Sequence, residues 1–167
     1  EPRLLKALSA QGLDRAEAPV YVQSFEVSNL QWLRRRSNLQ LVQLIEDVGS
    51  PADQSDTGLS YASMLTPAGL RQVAGYASGI GPYKRLIVPE RDGKLQPATR
   101  LIADAHAAGL VVHPWTFRSD TEYLQADYKG DPGAEYRQFF DLGVDGVFSD
   151  FPEHAVKARE SWIKAMP

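Results

Sequence analysis

Polar and aromatic side chains stand at the ends of several apolar, strand-like runs in this sequence: Gln23, Ser24 and Phe25; Glu46 and Asp47; Trp115, Thr116 and Arg118; Ser149 and Asp150. If those runs form a parallel sheet, ligands meet it outside the carboxyl ends of the strands, and these are the positions from which chemistry would be done. Gln23 alternates with Tyr21 and Phe25 and so shares a strand face with them. That aims its amide into a pocket mouth, unless the neighbouring backbone takes it up as a polar filler. Trp115 lies between Pro114 and a polar loop, a place suited to a pocket wall as well as to the core. Glu46 and Asp47 are consecutive, and an extended chain points them to opposite sides, which suits loop acidity better than a shared metal ion. Asp150 precedes Phe151-Pro152 and can either cap the helix that the proline opens or face the pocket.

The residue inventory narrows the chemistry. The sequence has no cysteine, which excludes thiolate attack, Cys-bound zinc and disulfides. Of its 3 histidines, His106 and His154 fall on helical segments and face outward, which argues against a three-histidine metal site. His113 lies two residues deeper than Trp115 on one strand face, where a neutral, hydrogen-bonded imidazole is expected. Ser24, His113 and Asp150 have the residue types of a hydrolase triad, but no Gly-x-Ser-x-Gly elbow surrounds Ser24.

The elements that must position these residues alternate along the chain. Pro2 opens a helix with Leu4, Leu5, Leu8 and Leu13 on one side, and Gly12 closes it. Residues 20–25 read as a strand, followed by a helix over 29–36 capped by Ser28, with Leu30 and Leu33 buried. Residues 39–45 read as a second strand. A long polar loop, 46–65, leads to a helix opened by Thr66-Pro67 and carrying Leu70, Val73, Ala74 and Ala77. Gly79-Ile80-Gly81-Pro82 and Leu86-Ile87-Val88 suggest a third strand, continuous or split, and Pro97 starts a helix that Gly109 ends. Residues 110–117 form a fourth strand, residues 118–133 a second polar loop, residues 134–142 a helix and residues 143–150 a fifth strand.

Strands and helices alternating in this way imply parallel βαβ units with the helices packed outside the sheet, so the class is α/β. About five units are visible, enough for a small open doubly wound sheet or for most of an eight-fold barrel, and the periodicity does not choose between them. No glycine-rich phosphate loop follows any strand, which weakens the nucleotide-binding form of the open sheet. With 167 residues, 43% hydrophobic and 23% charged, the chain has ordinary globular composition, which sets disordered and fibrous classes aside. A net charge of -3 offers no field for nucleic acid, and the Arg34-Arg35-Arg36 run reads as a solvated helix end. No apolar stretch is long enough to span a bilayer. The sequence opens at Glu1 directly in an amphipathic segment, and residues are expected to precede it.

Taken together, several segments resemble the glycerophosphodiester phosphodiesterases, and especially their periplasmic or secreted bacterial branch. Val20-Tyr21-Val22-Gln23-Ser24-Phe25-Glu26 is similar to the family's Gln-Ser-Phe strand, Leu41-Val42-Gln43-Leu44-Ile45 to the strand after it, and Gly79-Ile80-Gly81-Pro82 to the glycine-proline strand that follows. Val112-His113-Pro114-Trp115-Thr116-Phe117-Arg118 is similar to the His-Pro-aromatic-Thr-x-Arg strand, and residues 143–152 to the closing Gly-Val-Asp-Gly and Asp-x-Pro segment. The resemblance implies the C-terminal part, about five βα units, of a (β/α)8 TIM-type barrel. It further implies hydrolysis of glycerophosphodiesters to an alcohol and glycerol 3-phosphate with a divalent cation, calcium or magnesium.

The family's His-Arg-Gly strand, Glu-x-Asp metal pair, second catalytic histidine and later metal-binding glutamate all precede the Gln-Ser-Phe strand and have no counterpart here. The resemblance therefore assigns no catalytic or metal residue to this sequence. It assigns substrate-pocket roles to Gln23, Phe25, Trp115 and Arg118. Residues 1–167 are expected to be a single incomplete domain, inactive alone, with the N-terminal half of the barrel as its partner. Two open sheet edges should make it associate, and the branch resemblance implies a periplasmic or extracellular location. The competing reading is a non-catalytic half-barrel that binds or scaffolds.

Overall fold

The computed structural model describes residues 1–166. Four short strands, β1 (Tyr21–Ser24), β2 (Gln40–Ile45), β3 (Gly79–Pro82) and a later pair of residues, Val111–Val112, form one parallel sheet in chain order. Between the third and fourth of these lies a small antiparallel hairpin, β4 (Glu90–Arg91) and β5 (Lys94–Leu95), so Val111–Val112 is β6. The hairpin turn is Asp92-Gly93 with φ of 54° and 72°, the left-handed pair that a two-residue connection requires.

The helices are α1 (Pro2–Ala10), α2 (Val27–Arg34), α3 (Tyr61–Met64), α4 (Pro67–Ala74), α5 (Leu101–Ala107), α6 (Pro132–Asp141) and α7 (Pro152–Ala165). They cover one face of the sheet. Leu41 and Ile45 of β2, Ile80 of β3 and Val112 of β6 meet Leu30 and Leu33 of α2, Leu70 and Val73 of α4, Ile102 and Ala105 of α5, and Phe139 of α6 in one buried cluster. The strand register places Tyr21 and Gln23 in line with Gln40 and Val42, and Val42 and Leu44 in line with Gly79 and Gly81. These residues form the opposite face, because side chains alternate along a strand and parallel partners in register point the same way. Gly79 and Gly81 are required there. A Cβ at Gly79 would stand 2.5 Å from Val111 Cγ2, and one at Gly81 2.6 Å from Leu44 Cδ2.

The parallel strand-helix alternation appears as expected, with several local corrections. The helix after β1 starts at Val27 rather than at 29, and Ser28 does not cap it. The Asp53 carboxylate, brought in from the 46–65 loop, instead takes the Val27 and Ser28 amides at 3.1 and 2.6 Å. Hydrogen bonding holds that carboxyl below its ordinary value against the opposing effect of burial. The loop itself holds a 3-10 turn at Ala52–Gln54 and α3, whose Ser60 and Ser63 form a reciprocal capping box. Leu86-Ile87-Val88 is not a strand but continues a turn from Lys84, its carbonyls taken by Thr99. The helix expected at Pro97 begins at Leu101.

Thr66-Pro67 opens α4 and Gly109 (φ 80°) ends the α5 segment as expected. The regular fourth strand is shorter than expected, although the His113 and Trp115 amides still donate to the Ile80 and Pro82 carbonyls beside β3; Pro114, which has no amide to donate, faces the fifth strand instead. Its pairing resumes as a single bridge between Tyr83 and Trp115. The fifth is one bridge, Phe117 to Ser149, extended by the Phe117 and Asp150 amides donating to the Phe148 and Phe117 carbonyls. The Asp145 carboxylate takes the Val112 amide at 2.8 Å, filling a place that a ladder bond would otherwise occupy.

Candidate functional site

The strand ends of the sheet carry a line of aromatic rings. Phe25 follows β1, Tyr83 follows β3, and Trp115 lies opposite Tyr83 on the continuation of β6. Phe25 meets Trp115 edge-on at 5.7 Å and Tyr61 at 6.4 Å, while Tyr83 and Trp115 lie 5.4 Å apart. The Trp115 indole N–H donates to the Gly81 carbonyl at 2.6 Å. Its one polar atom is therefore committed to the scaffold, and the rest of the ring forms an apolar wall.

Of the pocket residues read from the sequence, Phe25 meets Trp115, and Trp115 shares a cleft with Arg118, whereas neither Gln23 nor Phe25 lines that cleft. Phe25 and Trp115 touch. Arg118 lines the same cleft as Trp115 and Tyr83, a cavity of about 300 Å3. Its guanidinium lies 4.0 Å from the Tyr123 ring centre, with Asp120 at 3.0 Å and Asp150 at 3.5 Å. Asp150 therefore serves Arg118 rather than capping α7, whose N-cap is Phe151. Gln23 is exposed on the Tyr21 and Phe25 face of β1. Its amide is free of the filler role, which belongs instead to Gln43. The buried Gln43 amide donates to the Phe25 and Leu44 carbonyls at 2.9 and 3.0 Å, and its oxygen accepts from Tyr76.

His113 is buried between Tyr21, at 4.7 Å edge-on, and Phe148. Burial pulls its imidazole below the ordinary value, with Asp145 opposing, so the ring is neutral at physiological pH. His106 and His154 are partly exposed and engage Asp145 and Ser119. The three histidines do not converge. Ser24 is taken by Asn29 and the Glu26 amide, which gives it no base to activate it.

Asp53 is occupied in capping α2, and among the described residues no group of three or more His, Asp and Glu side chains is placed to hold a metal ion. Sequence reasoning missed a different polar group, the Lys84–Glu135–Arg85 cluster beneath the wall. Lys84 Nζ and Arg85 Nη2 reach the same buried carboxylate at 2.9 and 2.8 Å. Partners 51 residues apart leave no local signal. Gln43 did leave one, an amide set among Leu41, Val42, Leu44 and Ile45.

A parallel α/β sheet with an aromatic wall at its strand ends is the arrangement of a ligand-binding α/β domain. Residues 3–154 match the model of the Glycerophosphoryl diester phosphodiesterase family, and the chain belongs to that family. It is 35% identical over 139 residues to a glycerophosphodiester phosphodiesterase of Arabidopsis thaliana, a match covering 83% of this chain and 37% of the relative. It is 28% identical over 168 residues to a glycerophosphodiester phosphodiesterase of Haemophilus influenzae, covering 92% and 45%. The fold is similar to a solved structure from Silicibacter pomeroyi assigned to the glycerophosphoryl diester phosphodiesterases. The TM-score is 0.63 at 18% identity, covering 96% of this chain and 43% of that one. The chain thus spans less than half the length of these relatives, and its sheet and helices are part of a TIM-barrel-type α/β fold.

Proposed function

We propose that these residues form the pocket-shaping part of a glycerophosphodiester phosphodiesterase that releases an alcohol and glycerol 3-phosphate. The observation that carries the reading is the edge-to-face pair of Phe25 and Trp115, 5.7 Å apart, at the strand ends of a chain whose family match spans residues 3–154. In this reading the two rings pack on the glycerol carbons, Gln23 bonds a glycerol hydroxyl and Arg118 reaches a phosphate oxygen. Asp120 and Asp150 hold the Arg118 side chain near the rim, so it need not be fixed anew when ligand arrives.

Cleavage of a phosphodiester at neutral pH requires neutralisation of its charge, an acid for the leaving alcohol and a group that activates the nucleophile. The described residues offer no such convergent set. We assign the cation, calcium or magnesium, together with the general acid and base, to residues outside this chain, and we expect the chain alone to be inactive. The family-branch resemblance supports a periplasmic or extracellular location.

The pocket reading is tested in a barrel completed with the N-terminal units of a relative. Trp115→Ala should raise KM for a glycerophosphodiester about tenfold while changing kcat less, because the ring binds rather than reacts. An unchanged KM would remove Trp115 from the pocket.

A further inference from the structure

The 46–65 loop leaves β2 at the strand ends, and its 3-10 turn brings the Asp53 carboxylate to the first turn of α2. There the Val27 and Ser28 amides donate to it at 3.1 and 2.6 Å. Such amides have no partner within the helix and lie at its positive end, so an anion suits them. Burial pushes the Asp53 carboxyl up, but hydrogen bonds from Ser28, Val27 and Gln54 outweigh it and hold the group below its ordinary value. Among the described residues no cation pairs with Asp53. The helix end is its counter-charge. The Val27 bond spans 26 residues and ties the loop after β2 to the helix after β1.

Further along the same loop Tyr61 opens α3 and is 5% exposed. Its amide donates to the Gly49 carbonyl at 3.0 Å, which closes the loop on itself. Its ring meets Phe25 edge-on at 6.4 Å, and Phe25 in turn meets Trp115 at 5.7 Å. Burial, and then the charges of Glu46, Asp53 and Glu26, push the Tyr61 phenol up, so the ring that faces Phe25 is neutral. Phe25 is 36% exposed, and a half-exposed phenyl regains rotamers when a supporting ring moves away. We propose that Asp53 is a positioning residue for substrate binding: by latching the 46–65 loop onto α2 it holds Tyr61 behind Phe25 and fixes that side of the pocket. The proposal rests on the reading of Phe25 and Trp115 as the pocket wall. Asp53 acts through Tyr61, without touching substrate.

The test uses the barrel completed with the N-terminal units of a relative. Asp53→Ala should raise KM for a glycerophosphodiester about fivefold and change kcat by less than about twofold, because a binding surface loosens and no reacting group is lost. Asp53→Asn keeps one accepting oxygen and should fall between. Thr66→Ala removes the hydroxyl that takes the Gly69 amide at 3.0 Å at the start of α4. It should lower the thermal midpoint comparably and leave KM native. Tyr61→Leu should raise KM as Asp53→Ala does, and the double variant should go no higher. If Asp53→Ala does not fold, Asp53→Asn combined with Tyr61→Leu carries the same comparison. Native KM in both Asp53 variants, while Trp115→Ala raises it, would overturn the latch and leave the pocket wall standing. Native KM in all three would overturn both. A rise in Thr66→Ala equal to that in Asp53→Ala, or additive effects in the double variant, would reduce Asp53 to a helix cap and overturn its positioning role.

Discussion

The Trp115 indole donates to the Gly81 carbonyl at 2.6 Å, so the principal ring of the aromatic wall is tied to the backbone of β3, 34 residues earlier in the chain. The link depends on a bare backbone. Leu44 Cδ2 and the His113 carbonyl would stand 2.6 and 3.3 Å from a Cβ on Gly81.

Gly81→Ala should therefore push Leu44 off the sheet and misplace Trp115. Overpacking of this kind costs about 1–3 kcal/mol, read as a lower urea midpoint with a shift in tryptophan emission. A variant with native midpoint and emission would show that the close approach is not needed.

The Lys84–Glu135–Arg85 cluster should be more sensitive to losing one partner than to losing all its charges. Glu135→Gln leaves two buried cations uncompensated and should cost about 3–5 kcal/mol in denaturant unfolding, while a combined Lys84→Met, Arg85→Met, Glu135→Leu variant should cost less. The reverse order would contradict this account of the cluster.

His113 predicts an acid limb in stability. Burial depresses its folded pKa from the ordinary 6.5, so on acidification the unfolded chain takes the proton before the folded one does. The stability contribution is full above about pH 6.5 and is lost as pH falls through the folded pKa. Between about pH 7.5 and about pH 5 the thermal midpoint should fall more steeply in the native chain than in His113→Phe. Identical slopes would assign the limb to other groups.

Association is the expected behaviour of the isolated chain. β1 pairs on one side only, and Tyr21, Phe25, Val156 and Ile163 are exposed large apolar residues, with the latter two beside a cavity of about 570 Å3 between α7 and the Val144–Ser149 segment. Open strand edges and apolar surface of this kind recruit other chains. Sedimentation should show oligomers and an apolar dye should bind. A monodisperse monomer that unfolds cooperatively and excludes the dye would count against the expectation.

What could be read from the sequence followed from local physics. Alternation in Tyr21, Gln23 and Phe25 correctly gave one exposed strand face, and Thr66-Pro67 and Gly109 marked helix ends because cap and turn conformations are written into residue type. The cap of α2 was misread because its acceptor, Asp53, arrives from another loop. The last two strands shrank to short or single bridges where Asp145 substitutes a side chain for a ladder bond. At the site, Phe25 and Trp115 were legible as strand-end aromatics. The charges beneath them were not, since only folding brings Glu135 to Lys84 and Arg85.

The most direct test measures glycerol 3-phosphate release from a glycerophosphodiester, with calcium or magnesium, by residues 1–167 alone and after mixing with the N-terminal barrel units of a relative. The account predicts no release above background from the chain alone and metal-dependent release from the completed barrel. Metal-dependent turnover by the chain alone, at about 1 s⁻¹ or faster, would contradict it and place the reacting groups within these residues.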